Sequence, residues 1–447
     1  MNPELQRNLW LEVTLHRLIL VPVVIFAGAM LLRALDPSGE LLGNAAMVGF
    51  LLSTVLWGAR QAATSVLDEA RTHTWDIQRM CALSPWRMTW GKLAGATIIP
   101  WYAGGWCLAI FIGSRAAGDQ PDNLAATLVL AVIFALAVAV LAQGSALIYA
   151  LVVLHRGGGL QSRLANLVMI ALLVVLLPNL VSWIDPQTTV SWYTIELPQL
   201  PFMAVATSSF AAWAVLGATR AMSMELKVGT WPGAWLAFAG FVALFAAGFV
   251  GIAATPSLPL IRCLLASLAL TAIVQSYVAA FAYPGDPMQF RRSERALVAQ
   301  RWGRALEDLP LWSISTALAL AAALIATVLG SAPQFTNQRL DNLGPVSLAA
   351  TLMMLRDVAL LTYFGVTSGR GRAEATTLVY IAILDGLLPA LLPHIGLASL
   401  TTLFWPPFFS APFTAIGILC VHVAVALVLA IYAYRRMATG LNGTTDG

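Results

Sequence analysis

The chain has 447 residues, of which 59% are hydrophobic and only 10% charged, with a formal net charge of +4. A soluble domain carries about 45–50% apolar and about 25% charged residues, so this balance excludes an ordinary soluble enzyme and points to a polytopic membrane protein. The short alternating segments of a closed barrel are absent from the sequence, which leaves helices as the way to satisfy the backbone in lipid.

Twelve apolar segments follow in chain order, near 14–35, 44–66, 96–115, 124–153, 163–184, 202–221, 231–253, 258–283, 310–331, 344–366, 375–395 and 411–434. Each approaches the roughly 20 residues needed to cross about 30 Å of hydrocarbon. An amphipathic stretch, "PELQRNLWLEVTLHRL", precedes the first. That first run lacks a small-residue cleavage site and reads as an uncleaved signal anchor. With the N-terminus in the cytoplasm, twenty of the 25 Lys and Arg fall on the cytoplasmic side, as the positive-inside rule expects. Both termini are then cytoplasmic, and the net charge reports topology rather than a nucleic-acid partner. Tryptophans near the span ends, such as Trp75, Trp101, Trp183, Trp231, Trp312 and Trp405, read as an aromatic belt. Cys81, Cys107, Cys263 and Cys420 have no C-x-x-C spacing and read as small hydrophobes. His394 and His422 lack a second ligand at metal-binding spacing, and no metal site is expected.

The two halves share a plan. "LLPNLVSW" at 176–183 and "LLPHIGLA" at 391–398 lie 215 residues apart, as do Pro178 and Pro393, and Arg220 and Arg435. Both stretches lead through a Pro-rich, aromatic outer loop into a last span that ends on basic residues. The same offset carries span one onto span seven and span six onto span twelve. The expected architecture is all-α, about twelve transmembrane helices in two parallel six-helix repeats, 1–226 and 227–447.

Between the second and third spans lies "DEARTHTWDIQRMCALSPWRMTWGKLAG", residues 68–95. Ile77, Met80, Cys81 and Leu83 form an apolar stripe at near-helical spacing, with Asp76, Gln78, Arg79 and Ser84 off it. Ser84-Pro85 breaks that helix and starts a second short one. The expected shape is an elbow at the inner membrane surface with a polar face toward the cytoplasm, a shape that a simple interfacial amphipathic helix would share.

The order of an acidic pair (Asp68, Glu69), Thr74-Trp75-Asp76, then Arg79, a Leu83-Ser84-Pro85 turn, Arg87, and Gly91-Lys92 leading into a span resembles the permeases of the type-2 family of ATP-binding-cassette exporters. The close match covers these 28 residues; the rest of the chain matches as topology. The resemblance implies that 68–95 is an ATPase-coupling segment docking on a separate soluble ATPase subunit. Two copies of that subunit, binding ATP and Mg, would drive a multi-pass permease of the bacterial inner membrane. The chain itself has no Walker A sequence: Gly91-Lys92 lacks the preceding glycine and is followed by Leu93, and the resemblance therefore implies a transport subunit without its own ATPase motif or cofactor. The equivalent segment of the second half, cytoplasmic helix 286–310, is basic but lacks the T-W-D, L-S-P and G-K elements. A second ATPase, a different partner and lipid head groups all stay open for it.

Arg356 and Asp357 fall about 18–20 Å into the tenth span, and Asp385 about 15 Å into the eleventh. Charges at such depth face a bundle interior or a wet cavity. Two readings stand: an element of the substrate path or gate, or a buried Arg356–Asp385 ion pair that fixes packing. Their first-half equivalents are Leu141, Ala142 and Ile170, so the charges belong to one repeat only. Gln143 and Gln275 are expected to join helices by hydrogen bonds.

These features favour the membrane subunit of an ATP-driven exporter, a self-contained pseudo-dimer or a homodimer in lipid. The alternative is a proton-coupled secondary transporter with twelve spans, in which Asp357 and Asp385 carry protons. A lipid-linked glycosyltransferase is disfavoured by short outer loops with few acids.

Overall fold

The computed structural model describes residues 2–80, 83–117, 123–156, 188–193, 195–229, 231–249, 258–282, 287–329, 342–367 and 370–442. Among these, nine helices are long and apolar enough to cross a membrane. The architecture is all-α and multi-pass, with one small addition, paired strands at Thr189–Trp192 and Ile195–Pro198. So short a connection allows only antiparallel pairing.

The first half begins with α1 (Pro3–Glu12) and α2 (Leu15–Leu35). Next comes α3 (Glu40–Arg71), which holds a π-helical turn at Leu52–Trp57. Two short helices follow, α4 (Thr74–Met80) and α5 (Pro85–Trp90). A π-helical turn at Gly91–Ala96 leads into α6 (Ile98–Ala116), with a 55° bend between Pro85–Ala96 and α6. Then come α7 (Leu124–His155) and α8 (Gln199–Glu225). The second half holds α9 (Gly233–Ala247), α10 (Leu258–Ala282), α11 (Pro287–Val298), α12 (Trp302–Asp308), α13 (Leu311–Val328) and α14 (Leu343–Thr367). It ends with α15 (Arg370–Ile381), which runs on through a π-helical turn at Ala382–Leu387, and α16 (Pro412–Asn442).

Of the twelve expected spans, the third falls on the bent α5–α6 segment, a tenth candidate beside the nine, and the seventh falls on α9, which at 15 residues is shorter than those candidates. The fifth, 163–184, lies outside the described residues. Helix α2 has no buried residue, and Leu31 is 63% exposed on it; Val428 on α16 is 66% exposed. Whole faces of exposed aliphatic side chains are what lipid, not water, would cover.

Loop chemistry sets the boundaries. Between α2 and α3, Asp36 accepts from the Ser38 hydroxyl at 2.6 Å and the Leu41 amide at 2.9 Å. The Ser38 hydroxyl first, then that amide, holds the Asp36 carboxyl below the usual carboxylate range. Gly39 sits at φ +85°, where a side chain would be strained.

The chain divides into two compact units, Met1–Ser191 with Ile195–Thr230, and Trp192–Thr194 with Trp231–Gly447. In the first, α3 packs on α6 and α7 packs on α8. One apolar cluster gathers Met47, Phe50, Phe111 and Phe134; another gathers Val66, Trp75, Met88, Leu147, Leu151 and Met222. A Cβ on Gly144 would stand 3.0 Å from that of Ala214, so small residues set how closely α7 and α8 approach. Gln143 donates to the Thr54 carbonyl at 2.9 Å, inside the π turn of α3, and accepts from Trp101 Nε1 at 3.1 Å. In the second unit, α10 packs on α13 and α14 packs on α16, around Ala272, Ala319, Met354, Val358 and Leu361. Gln275 donates to the Trp235 carbonyl at 3.3 Å, joining α10 to α9.

Candidate functional site

The elbow of residues 68–95 is built from the end of α3 upward. Asp68 and Arg71 pair at 3.1 Å on the exposed last turn. Thr72 and Thr74 hydroxyls donate to the Asp68 and Glu69 carbonyls at 2.9 and 3.2 Å. His73, at φ +57°, takes the left-handed conformation that turns the chain into α4. On α4, Trp75 points inward and is 3% exposed, whereas Ile77 and Met80 are 62% and 80% exposed. Asp76 and Arg79 lie on the surface 3.8 Å apart. Ser84 caps α5, its Oγ accepting from the Arg87 amide, and Pro85 fills the first helical position. Met88 and Thr89 are buried, while Trp86 and Trp90 are exposed with their rings edge to face at 5.6 Å. The elbow therefore shows both charged and apolar side chains on its outside. Of the expected apolar stripe, Ile77 and Met80 are exposed, Leu83 is half-buried and Cys81 lies outside the described residues, whereas Asp76, Arg79 and Ser84 of the expected polar face are exposed.

Beneath it lies an ion network that is buried at Lys92 and Glu4 and opens outward at Arg7, whose side chain is 40% exposed. Lys92 has no exposed surface. Its Nζ lies 2.5 Å from Oε2 of Glu69 and 3.2 Å from Oε1 of Glu4, and 5.5 Å from the centre of the Trp75 ring. Arg7 donates to Glu4 Oε1 at 2.9 Å and also to Glu69. Burial works against the Arg7 guanidinium, but its bonds to Glu69 and Glu4 outweigh that and hold its pKa above the ordinary arginine value. Two cations face two carboxylates, so the network is neutral.

The network ties α1 to the turn that starts the third span. A Cβ on Gly91 would come within 2.6 Å of Cβ of Glu4, and one on Gly95 within 2.8 Å of Cβ of Asn8. The glycines let α1 lie directly on the 91–96 turn. Asn8 donates to the Gly91 carbonyl at 3.1 Å, and Asn2 donates to the Arg87 carbonyl at 2.5 Å. So Gly91 and Lys92 are buried inside the unit, and Glu69, partly exposed, is committed to bonds within it. Asp68, Thr74, Asp76, Arg79, Ser84 and Arg87 are exposed, Leu83 and Pro85 are half-buried. Sequence reasoning missed Glu4, Arg7 and Asn8. Their i, i+3, i+4 spacing on one face of the N-terminal helix was the available signal.

In the second unit, the structure brings Arg356, Asp357 and Asp385 together. Arg356 forms a two-bond fork with Asp385, Nη1 to Oδ1 at 3.0 Å and Nη2 to Oδ2 at 2.6 Å. Its Nε and Nη2 also donate to Oδ1 of Asp357 at 2.8 and 2.7 Å. Tyr277, from α10, donates to Oδ2 of Asp357 at 2.6 Å. Arg356 is 3% and Asp357 5% exposed. They sit about 20 Å from the start of α14, near its middle. Asp385 reaches them from the π-helical turn after α15, the kind of irregularity that often marks functional positions. Tyr277 was not anticipated; nothing in its local sequence separates it from an interfacial tyrosine.

Cys107 and Cys263 are buried, whereas Cys420 is exposed on α16, against the expectation of a buried thiol. Among the described residues, no three His, Cys, Asp or Glu gather to hold a metal ion. No protein-family model, no curated protein and no solved structure matches the chain.

Proposed function

We propose that this chain is the membrane permease subunit of an ATP-driven exporter of the type-2 ATP-binding-cassette kind, driven by separate soluble ATPase subunits in a bacterial inner membrane. The observation that carries this reading is the elbow. Its outer side offers Asp76, Arg79 and Arg87 beside exposed Ile77, Met80 and Trp86, and its inner side is fixed to the third span through Lys92. A push on such a surface is passed to a span rather than absorbed by a loop.

The reading includes twelve spans in two parallel repeats with cytoplasmic termini. Packing inside each unit supports it. Shifted by 215 residues, the α3–α6 and α7–α8 pairs fall on α10–α13 and α14–α16, which also pack together. The short helices α4 and α5 fall on α11 and α12. The test is affinity purification from the native membrane followed by assay of the captured material. A co-purifying soluble ATPase, and transport that survives an uncoupler while ATP is intact, is the expected result. Transport that collapses with the proton gradient would replace this reading with the secondary transporter, which the Arg356–Asp357–Asp385 cluster favours.

A further inference from the structure

We propose that the cluster of Arg356, Asp357, Asp385 and Tyr277 is a binding site for one proton, held on Oδ2 of Asp357 against the Tyr277 oxygen. The proposal does not depend on what energises the protein. It starts from a charge count. One guanidinium stands between two carboxylates, so with both acids ionised the cluster carries one excess negative charge in the middle of a buried helix.

The neighbours do not cancel that charge. Helix α14 packs against α10, α13, α15 and α16. Among the described residues, the ionisable groups facing the cluster are Tyr277 from α10, Asp385 from the turn after α15, and His422 from α16. Helix α13 has no ionisable side chain. His422 Nδ1 is buried with no hydrogen-bond partner. An imidazolium would place an unsatisfied N–H there, so the neutral ring is favoured. A lone carboxylate in an apolar interior neutralises by binding a proton.

Bond geometry selects the oxygen. Three of the four carboxylate oxygens accept from the guanidinium, and protonating any of them sacrifices such a bond. Oδ2 of Asp357 alone faces only a hydroxyl, 2.6 Å away. A proton taken from water there turns the carboxylate into a carboxylic acid whose O–H donates to the phenol oxygen. The cluster passes from a charge of minus one to zero, and every bond to Arg356 is kept.

The experiment is infrared spectroscopy of the purified full chain in lipid nanodiscs at neutral pH, in ordinary and heavy water. Wild type should show the carbonyl band of a protonated carboxylic acid, shifted by deuterium. Asp357→Asn should lose it. Asp385→Asn should lose it too, although Asp357 remains, because Arg356 then balances Asp357 alone. Tyr277→Phe should keep the band and shift it toward a more weakly bonded acid. Absence of the band from wild type, or its persistence in Asp357→Asn or Asp385→Asn, overturns the proposal. So does a wild-type melting temperature that falls when sodium and potassium are exchanged for choline with no such band present, which assigns the balancing charge to a metal cation. If Asp357→Asn does not fold, the wild-type and Asp385→Asn spectra still decide.

Discussion

Lys92 and Glu69 meet at 2.5 Å across 23 residues of sequence, joining the end of the second span to the start of the third. Both belong to a neutral set of four charges with Glu4 and Arg7. Removing one member of a buried set leaves an uncompensated charge, typically at a cost of about 3–5 kcal/mol. Lys92→Met should therefore lower the melting temperature of the purified protein markedly. Adding Glu69→Gln restores neutrality and should recover much of the loss. A Lys92→Met protein that melts like wild type would mean that Lys92 and its two carboxylates are not closed off from water.

The close approach of α1 gives a second outcome. A methyl group at Gly91 or Gly95 must displace the Glu4 or Asn8 side chain, and overpacking of this kind costs about 1–3 kcal/mol. Gly91→Ala and Gly95→Ala should loosen α1 and expose the chain near residues 12–14 to protease. Gly105→Ala, where nothing lies within 4 Å of the new atom, serves as the control and should change nothing.

The outside of the elbow separates two kinds of contact. Ile77→Glu with Met80→Glu should reduce capture of the ATPase about tenfold or more, because apolar anchors carry most of an interface's energy. Asp76→Ala, Arg79→Ala and Arg87→Ala together should weaken capture less, and chiefly at low salt, where rim charges steer association. All five positions are exposed, so membrane insertion and melting should stay as in wild type. Unchanged capture in both sets would make the elbow an interfacial helix pair and nothing more.

The multi-pass class was readable because apolar run length is a local signal. The Ser84-Pro85 break was readable for the same reason: a cap and a helix-starting proline act within three residues. The Arg356–Asp385 contact was approachable because two charges at similar depth in neighbouring spans have few other partners. The inward turn of Lys92 was not legible. Its partners Glu4 and Glu69 lie 88 and 23 residues away, and no periodicity links them. Nor was the exposure of Ile77 and Met80, since an apolar stripe predicts a covered face but not whether protein, lipid or a partner covers it.

The last prediction turns on the same charge count as the proton site. Arg356 serves two carboxylates, so its neighbours are not equivalent to it. Arg356→Leu strands the Asp385 charge, also takes two hydrogen bonds from Asp357, and should be the most damaging single change, about 3–5 kcal/mol by the usual cost of breaking a buried pair. Asp385→Leu leaves Arg356 balanced by Asp357, which keeps its bonds to Nε, Nη2 and Tyr277, so the loss should be distinctly smaller. Arg356→Leu with Asp385→Leu leaves Asp357, neutral with its proton, beside Tyr277 but without its bonds to the guanidinium, so recovery should be partial. Adding Asp357→Leu removes the last buried polar group left without its partner and should bring the yield of folded protein close to that of wild type, since an apolar replacement of a whole buried ion set is often near neutral. The yield is read as the monodisperse fraction after solubilisation. An Asp385→Leu protein as damaged as Arg356→Leu would show that the Arg356–Asp385 fork is itself indispensable and that the charge count does not govern the site.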